Sequence, residues 1–363
     1  MNEEKPHQKK ETGYLGIIVS ALIGFIALVA VGVAILMLFS GSWYFAELIN
    51  SFRLQVSLGV LTLAILLWVC GFKKWGAAQG LFALFLLYPI MSVMLPQRQP
   101  AAGPNEISLL SFNVLGTNID QQPTLEMLQT SGADIVVVLE YENNWVETLN
   151  GMKSTYTFSI EEPRWHGFGL ALYSRYRIVD SEIHRLTKTR TDNVFVVAYI
   201  DVLGQEVAVC ACHFLAPMSP TRSEIRKDQI AEVAAIIQQI QNERGVPVVL
   251  VGDYNMVPWS SFTHDLRRVA GLRDSRQGYP YHGSWPTGNS VLSIPIDNAF
   301  VSREIHVHDR WIQETTNSDH FPLLIKFSFP EQNPADQPAE DGDVESTNEA
   351  DEDANKQSES DRP

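Results

Sequence analysis

The chain has 363 residues, 42 acidic and 27 basic side chains, a formal net charge of −15 and three cysteines. A chain of this length with 45% hydrophobic residues can bury a large core, which excludes a small disulfide-dependent domain and a wholly disordered protein. The net charge is +3 over residues 1–100, −8 over 101–330 and −10 over 331–363, so the long middle region lacks the basic excess of proteins that bind duplex nucleic acid.

Three long uncharged segments predict a multi-pass membrane anchor, at residues 14–39, 54–72 and 75–95. Each is close to or longer than the roughly 20 apolar residues that span a bilayer. Lys5, Lys9 and Lys10 precede the first segment, and Lys73 and Lys74 separate the second from the third. Because basic residues favour the cytoplasmic side, the N-terminal 13 residues are expected in the cytoplasm and everything after the third span outside it. The connection between the first two spans is then an outside loop.

The rest of the chain divides by composition. Residues 96–105 read as a linker rich in proline, glutamine and alanine, and residues 106–330 as one globular domain. Residues 331–363 contain 12 acidic side chains and almost no apolar ones, which predicts a disordered acidic tail.

Short apolar runs within the globular domain predict strands at residues 107–113, 134–140, 169–174, 194–201, 206–213, 248–255, 296–301 and 323–327. Helical spacing predicts helices at residues 124–130 and 221–241, and Thr221 and Glu224 have the spacing of a capping box. Hairpin-like strand pairs occur among these elements, so the pattern favours an α/β fold of packed sheets with outer helices over a simple parallel sheet.

Polar residues lie at the ends of several of these strands. The strongest example is the run at 248–255, which ends in Gly252-Asp253-Tyr254-Asn255. Taken alone, this run is better explained by an ordinary turn, because Gly-Asp-x-Asn is common in turns. The wider set of polar strand ends comprises Asn113, Glu140, His213, Asp253, Asn255, Asp297, Asp319 and His320.

These residue types suit phosphoester hydrolysis assisted by a hard cation. Mg²⁺ takes oxygen ligands, which Glu140, Asp319 and Asn113 could supply, whereas no cysteine or histidine cluster has zinc spacing. Asp253 could orient a water molecule, and Asp297 could orient His320.

In chain order the motifs are Ser-Phe-Asn113, Leu-Glu140, Cys-His213-Phe, Gly-Asp253-Tyr-Asn255, Ile-Asp297-Asn and Ser-Asp319-His320. This series resembles the endonuclease/exonuclease/phosphatase superfamily, whose fold is deoxyribonuclease-I-like, over about residues 107–329. The three preceding spans look like those of a membrane-anchored bacterial branch. That resemblance implies a multi-pass protein of the bacterial inner membrane.

The resemblance implies a four-layer α/β/β/α sandwich of two mixed sheets, here preceded by three transmembrane helices. It also implies Mg²⁺ or Mn²⁺ as cofactor, with Glu140 as main ligand and Asn113 and Asp319 nearby. One departure is Asn298, where many relatives carry tyrosine or histidine, and this puts only the local packing in doubt.

The resemblance further implies a catalytic role for each of five residues. Asp253 would align and deprotonate the attacking water, and Asn255 would position both Asp253 and the phosphate. His320, held by Asp297, would bind and polarise the phosphate. His213 would protonate or stabilise the leaving oxygen.

The substrate stays open between a nucleotide, a nucleic acid and a lipid headgroup, and no stable protein partner is predicted. The alternative function is a non-catalytic, membrane-tethered binding module on the same fold. A transporter component is disfavoured because the three spans contain no ionisable residue. Arg222, Arg226 and Lys227 are read as the solvated face of their helix.

Overall fold

The computed structural model describes residues 6–95, 105–186 and 193–329. The first five residues of the predicted cytoplasmic segment, nearly all of the predicted linker and the predicted acidic tail lie outside these residues. Four helices come first: α1 (Pro6–Leu36), α2 (Tyr44–Ser51), α3 (Arg53–Val69) and α4 (Lys73–Met94).

Within the described residues, the stretches Ile18–Phe39 and Lys73–Met94 are long and apolar enough to cross a membrane. A third span exists only if α2 and α3, which meet at a bend of 70°, count together as one. The connection between the first two predicted spans contains helix α2, which was not predicted, and its position outside the cytoplasm stays a prediction. Two of the three predicted spans have the required length on their own.

The globular domain contains twelve strands and four further helices among the described residues. The strands are β1 (Ile107–Asn113), β2 (Ile135–Leu139), β3 (Phe158–Glu162), β4 (Leu170–Ser174), β5 (Arg177–Arg185), β6 (Val194–Val202), β7 (Gln205–His213), β8 (Val248–Asp253), β9 (Arg273–Asp274), β10 (Asp297–Val301), β11 (His306–Ile312) and β12 (Leu323–Ser328). The helices are α5 (Gln122–Thr130), α6 (Val146–Leu149), α7 (Pro220–Glu243) and α8 (Ser261–Ala270).

The strands form two six-stranded mixed sheets. The first sheet has the order β11-β12-β1-β2-β4-β3 and the second has the order β5-β6-β7-β8-β10-β9. Each sheet contains one parallel pair, β1 with β2 and β7 with β8, and its other pairs are antiparallel. The predicted fold class is confirmed.

Three apolar clusters hold the four layers together. One fills the space between the sheets, one joins the second sheet to α7 and α8, and one joins the first sheet to α5 and α6. Strand β1 shows how alternation serves two of them: Ile107 and Leu109 face the other sheet, whereas Leu110 and Phe112 face the helices. The inward positions continue through Ser111 to Asn113, where the strand ends.

The predicted capping box of α7 is wrong. The helix begins one residue before Thr221, and its cap is Ser219, whose hydroxyl accepts a hydrogen bond from the Arg222 amide at 3.2 Å. Pro220 follows at the first helical position, where a missing amide hydrogen costs nothing. Strands β3, β5, β9 and β11 and helices α6 and α8 were not predicted.

Candidate active site

Inward-facing strand ends place three ionisable side chains side by side in the second sheet. Side chains alternate along β7, β8 and β10, so the last inward-facing positions are His213, Asp253 and Asp297. Asp253 pairs in register with His213 on one side and with Asp297 on the other. All three side chains are buried, so their charges have to be balanced by one another or by a ligand.

Residues of the first sheet meet this row across the gap between the sheets. The side-chain amide of Asn113 donates to Glu140 Oε1 at 3.0 Å and to Asp253 Oδ2 at 3.3 Å. The other Glu140 oxygen accepts from the amide of Gly116 at 2.8 Å. Asn113 therefore bridges the two sheets and links Glu140 to the row of buried charges.

His320 lies between two carboxylates. Its Nδ1 is 2.9 Å from Asp297 Oδ2, and its Nε2 is 3.7 Å from Asp253 Oδ2. Burial lowers the pKa of His320, but the charges of Asp297 and Asp253 outweigh burial and raise the pKa to about 10. The ring is therefore an imidazolium at neutral pH, and its Nδ1–H donates to Asp297.

His213 approaches Asp253 from the other side. Its Nδ1 is 2.9 Å from the Gly167 carbonyl oxygen, which only accepts, so Nδ1 carries a hydrogen. Its Nε2 is 3.4 Å from Asp253 Oδ2 and 3.3 Å from Asn255 Nδ2. Burial raises the pKa of Asp253, but the hydrogen bond from His213 and the charges of both histidines hold it below its ordinary value.

Asp319 lies beside this cluster and is held by a different partner. Trp285 donates its indole N–H to Asp319 Oδ2 at 2.8 Å, and the Thr287 amide donates to the Asp319 carbonyl oxygen at 3.0 Å. Among the described residues, no hydrogen bond joins Asp319 directly to Asn113 or Glu140. The structure thus brings seven of the eight predicted site residues into one contact network, with Asp319 next in sequence to His320.

The donor set suits an oxygen-preferring divalent cation. Among the described residues each Glu140 carboxylate oxygen accepts from one donor, which leaves lone pairs for an ion. Four carboxylates surround two histidines in a largely buried space, and this excess of negative charge favours a bound cation. Ligand atoms of Asp253, Asp297 and His320 also lie within 4.8 Å of one another. We interpret these three residues as an ion-paired triad, because His320 Nδ1 lies 2.9 Å from Asp297 Oδ2 and His320 Nε2 lies 3.7 Å from Asp253 Oδ2.

Several residues of the site had no signal in the sequence. Ser284 accepts from the amide of Asp297 at 3.0 Å, Ser318 donates to the Asn113 carbonyl oxygen at 2.6 Å, and Glu142 accepts from the Gly167 amide at 2.8 Å. Serine and glutamate in loops are common, so only their positions reveal these roles. Left-handed backbone also clusters at strand ends around the site, at Leu115 (φ 62°), Glu140 (59°), Asn255 (49°) and Asn317 (54°). Such strain persists where surrounding contacts hold it, typically at functional sites.

The structure is a two-sheet α/β sandwich with a polar cluster at one end of the gap between the sheets. A family model described as the Endonuclease/Exonuclease/phosphatase family matches residues 110–320, more than half of the chain. The chain therefore belongs to the endonuclease/exonuclease/phosphatase family, as its motifs indicated. Members of this family are hydrolases that act on phosphoesters and generally use divalent metal ions. A search of curated protein sequences found no match.

Solved structures share this fold at low sequence identity. TDP2 from D. rerio, humanized by 14 mutations, is 17% identical, with a TM-score of 0.52 over 62% of this chain and 99% of that chain. A mannosyl-6-phosphatase from Bacteroides thetaiotaomicron VPI-5482 is 18% identical, with a TM-score of 0.51 over 61% and 100%. The catalytic domain of human Nocturnin is 17% identical, with a TM-score of 0.51 over 62% and 95%. Identities this low support the fold alone.

Proposed function

We propose that this protein is a membrane-anchored, metal-dependent phosphodiesterase in which an activated water attacks phosphorus in line with the leaving oxygen. The observation that carries the proposal is the convergence of both histidines on Asp253 Oδ2 from opposite sides. This arrangement keeps one carboxylate ionised beside two cationic or hydrogen-bonding rings. A carboxylate that stays charged can orient and deprotonate water, and the rings can stabilise charge on the phosphate.

Each role follows from a contact. Asp253 is the group that aligns water, and the Asn255 amide, which donates to Asp253 Oδ1 at 2.8 Å, fixes its orientation. His320, charged and held by Asp297, binds the phosphate. His213, with Nε2 directed toward the same carboxylate, serves the leaving oxygen.

Glu140 and Asn113, together with Asp319, are the residues that would hold Mg²⁺ or Mn²⁺. Such an ion, when bound, supplies Lewis-acid stabilisation of the charge that develops on phosphoryl oxygens. The chain's own contribution is to orient Glu140, and this is achieved by its left-handed backbone and its hydrogen bonds from Asn113 and Gly116.

The position of the anchor favours a lipid headgroup over a nucleotide or nucleic acid as substrate. Gln55 of α3 donates to the Val291 carbonyl oxygen at 3.0 Å, in the loop that follows Trp285 and Thr287. The side chains of Val291 and Leu292 are 74% and 45% exposed. Apolar side chains on a loop between a predicted span and the site suit a bilayer surface. The lysine distribution supports an extracytoplasmic position for this surface, on what we propose is a bacterial inner membrane.

Full-length protein in detergent tests the function against a substrate panel that contains an aryl phosphodiester, phospholipid vesicles, cyclic dinucleotides and single-stranded and plasmid DNA. We expect hydrolysis with Mg²⁺ or Mn²⁺, and its loss in chelator, in Asp253→Ala and in His320→Ala. Asp265→Asn, an exposed carboxylate on α8, is the matched control and keeps wild-type activity. Unchanged hydrolysis in both alanine variants would refute the mechanism, and metal binding without hydrolysis of any substrate would favour the binding module.

A further inference from the structure

Helix α2 of the anchor docks on the globular domain through its polar face. Glu47 and Asn50, one turn apart, are both buried, whereas Phe45 on another side of the helix is 45% exposed. The Asn50 carbonyl oxygen accepts from the indole N–H of Trp259 at 2.8 Å, and Glu47 Oε1 accepts from the hydroxyl of Ser260 at 3.1 Å. The anchor is thus joined to the domain by specific polar contacts.

The deepest of these contacts is an ion pair. Glu47 Oε2 lies 2.5 Å from Nη2 of Arg226 on α7, and the Arg226 side chain has no solvent exposure. The prediction of Arg226 as part of a solvated helix face is therefore wrong. A guanidinium buried this completely needs a negative partner. Among the described residues Glu47 is the only carboxylate paired with it, and that partner comes from the anchor.

The other end of the guanidinium reaches the active site. Arg226 Nη1 donates to the Asn255 carbonyl oxygen at 2.8 Å. Asn255 has a left-handed backbone with φ 49°, a conformation that asparagine tolerates better than most other residues. Its amide orients Asp253, and its side-chain nitrogen is 3.3 Å from His213 Nε2. One side chain therefore connects Glu47 to the turn that carries two catalytic groups.

We propose that Glu47, a residue of the membrane anchor, is a positioning residue of the active site, which acts through Arg226 on the backbone of Asn255. The catalytic unit then includes α2, and residues 106–330 alone carry an incomplete site in which Arg226 lacks its carboxylate partner. The effect on catalysis rests on the proposed function, whereas the effect on the Asn255 turn does not.

The test compares full-length Glu47→Gln with Gln55→Ala, which removes a different hydrogen bond between anchor and domain. Glutamine keeps the shape of Glu47 and its contact with Ser260 but removes the charge. Because misplacement of a catalytic group by about 1 Å costs on the order of 100-fold, we expect kcat on an aryl phosphodiester to fall about 10- to 100-fold, with KM changed less than about 3-fold. Gln55→Ala keeps wild-type kcat. A Glu47→Gln variant that melts earlier but keeps wild-type kcat would show a merely structural ion pair and overturn the proposal.

Two further measurements separate this proposal from the function itself. In Arg226→Met, the additional Glu47→Gln change is expected to lower kcat by less than about 2-fold, whereas multiplicative losses would contradict a path through Arg226. Hydrogen exchange of the Asn255 amide is expected to rise in Glu47→Gln and not in Gln55→Ala. Unchanged exchange would overturn the proposal even if no hydrolysable substrate were found.

Discussion

The substitution Gly252→Ala, which adds a single methyl group, is expected to displace active-site residues. It lies in β8 beside Cys212 of β7, with φ +152°. An added Cβ would lie 1.9 Å from the Cys212 carbonyl oxygen, whereas real Cβ contacts essentially never fall below 3.0 Å. The two strands would therefore have to move apart by about 1.1 Å, the difference between these distances. A shift of that size breaks the local ladder hydrogen bonds, because they weaken steeply beyond about 3.2 Å.

The displaced residue is the immediate neighbour of Asp253, so Gly252→Ala acts on catalysis as well as on stability. We expect an unfolding free energy lower by about 3 kcal/mol or more, since overpacking typically costs 1–3 kcal/mol and a backbone oxygen cannot turn aside as a side chain does. We expect kcat to fall on the order of 100-fold, since Asp253 moves by about 1 Å away from His213.

The assay is thermal unfolding together with hydrolysis of an aryl phosphodiester by full-length protein. The matched control is Gly204→Ala, where φ is +87° and nothing lies within 4 Å of the added methyl group. The control is expected to lose only about 1 kcal/mol from backbone strain and to keep wild-type kcat. If Gly252→Ala behaved like Gly204→Ala, the inference that close strand contact at this pair positions Asp253 would be refuted.

Three other changes have definite expected outcomes. In Asp297→Asn we expect the pKa of His320 to fall, because the strongest charge that raises it is removed while Asp253 remains. The rate constant kcat should then drop about tenfold for each pH unit above the lowered pKa and recover as the pH is lowered, whereas a loss independent of pH would contradict this. The folded-state pKa of His320, about 10, is raised above the unfolded value, so His320 stabilises the metal-free protein fully below about pH 6.5 and loses that contribution as pH rises toward 10. Over this window the unfolding free energy of wild type should fall by on the order of a few kcal/mol, and that of His320→Gln much less. Thermal unfolding in chelator measures both. Replacing Val291 and Leu292 by serine should lower hydrolysis of vesicle lipid several-fold without changing hydrolysis of a soluble diester. The control is Leu203→Ser, a change at an exposed apolar residue on the β6–β7 turn, which should affect neither substrate. Equal losses on both substrates would argue against contact with the bilayer.

The sequence predicted the central strands well because burial on both faces makes a continuous apolar run. Strand β1 spans Ile107–Asn113 as predicted, and β8 differs from its prediction only at the end that turns into the site. Strands β3, β5 and β11 were missed because all three are edge strands. Strands β3 and β11 are only partly buried, and β5 is mostly exposed. Strand β5, Arg177–Arg185, carries charges that suit an edge and hide the strand pattern.

In the N-terminal helices, the sequence predicts the long apolar helices but not the short polar one. Apolar length alone predicts helices that can cross a membrane, and α1 and α4 agree. Helix α2 was not predicted, because the contacts that Glu47 and Asn50 make with the globular domain are visible only in the tertiary structure. In the same way Arg226 reads as a surface charge until its two partners are known, one from the anchor and one from the turn after β8.

The sequence by itself determined which polar groups end the inner faces of the strands, because side-chain alternation is a local property with a period of two residues. Only the tertiary structure decided that Asn113 of one sheet reaches Asp253 of the other, 140 residues away, and that His320 lies between two carboxylates. Those contacts depend on how the two sheets pack together. Packing of that kind is fixed by the whole core and by no single stretch of the chain.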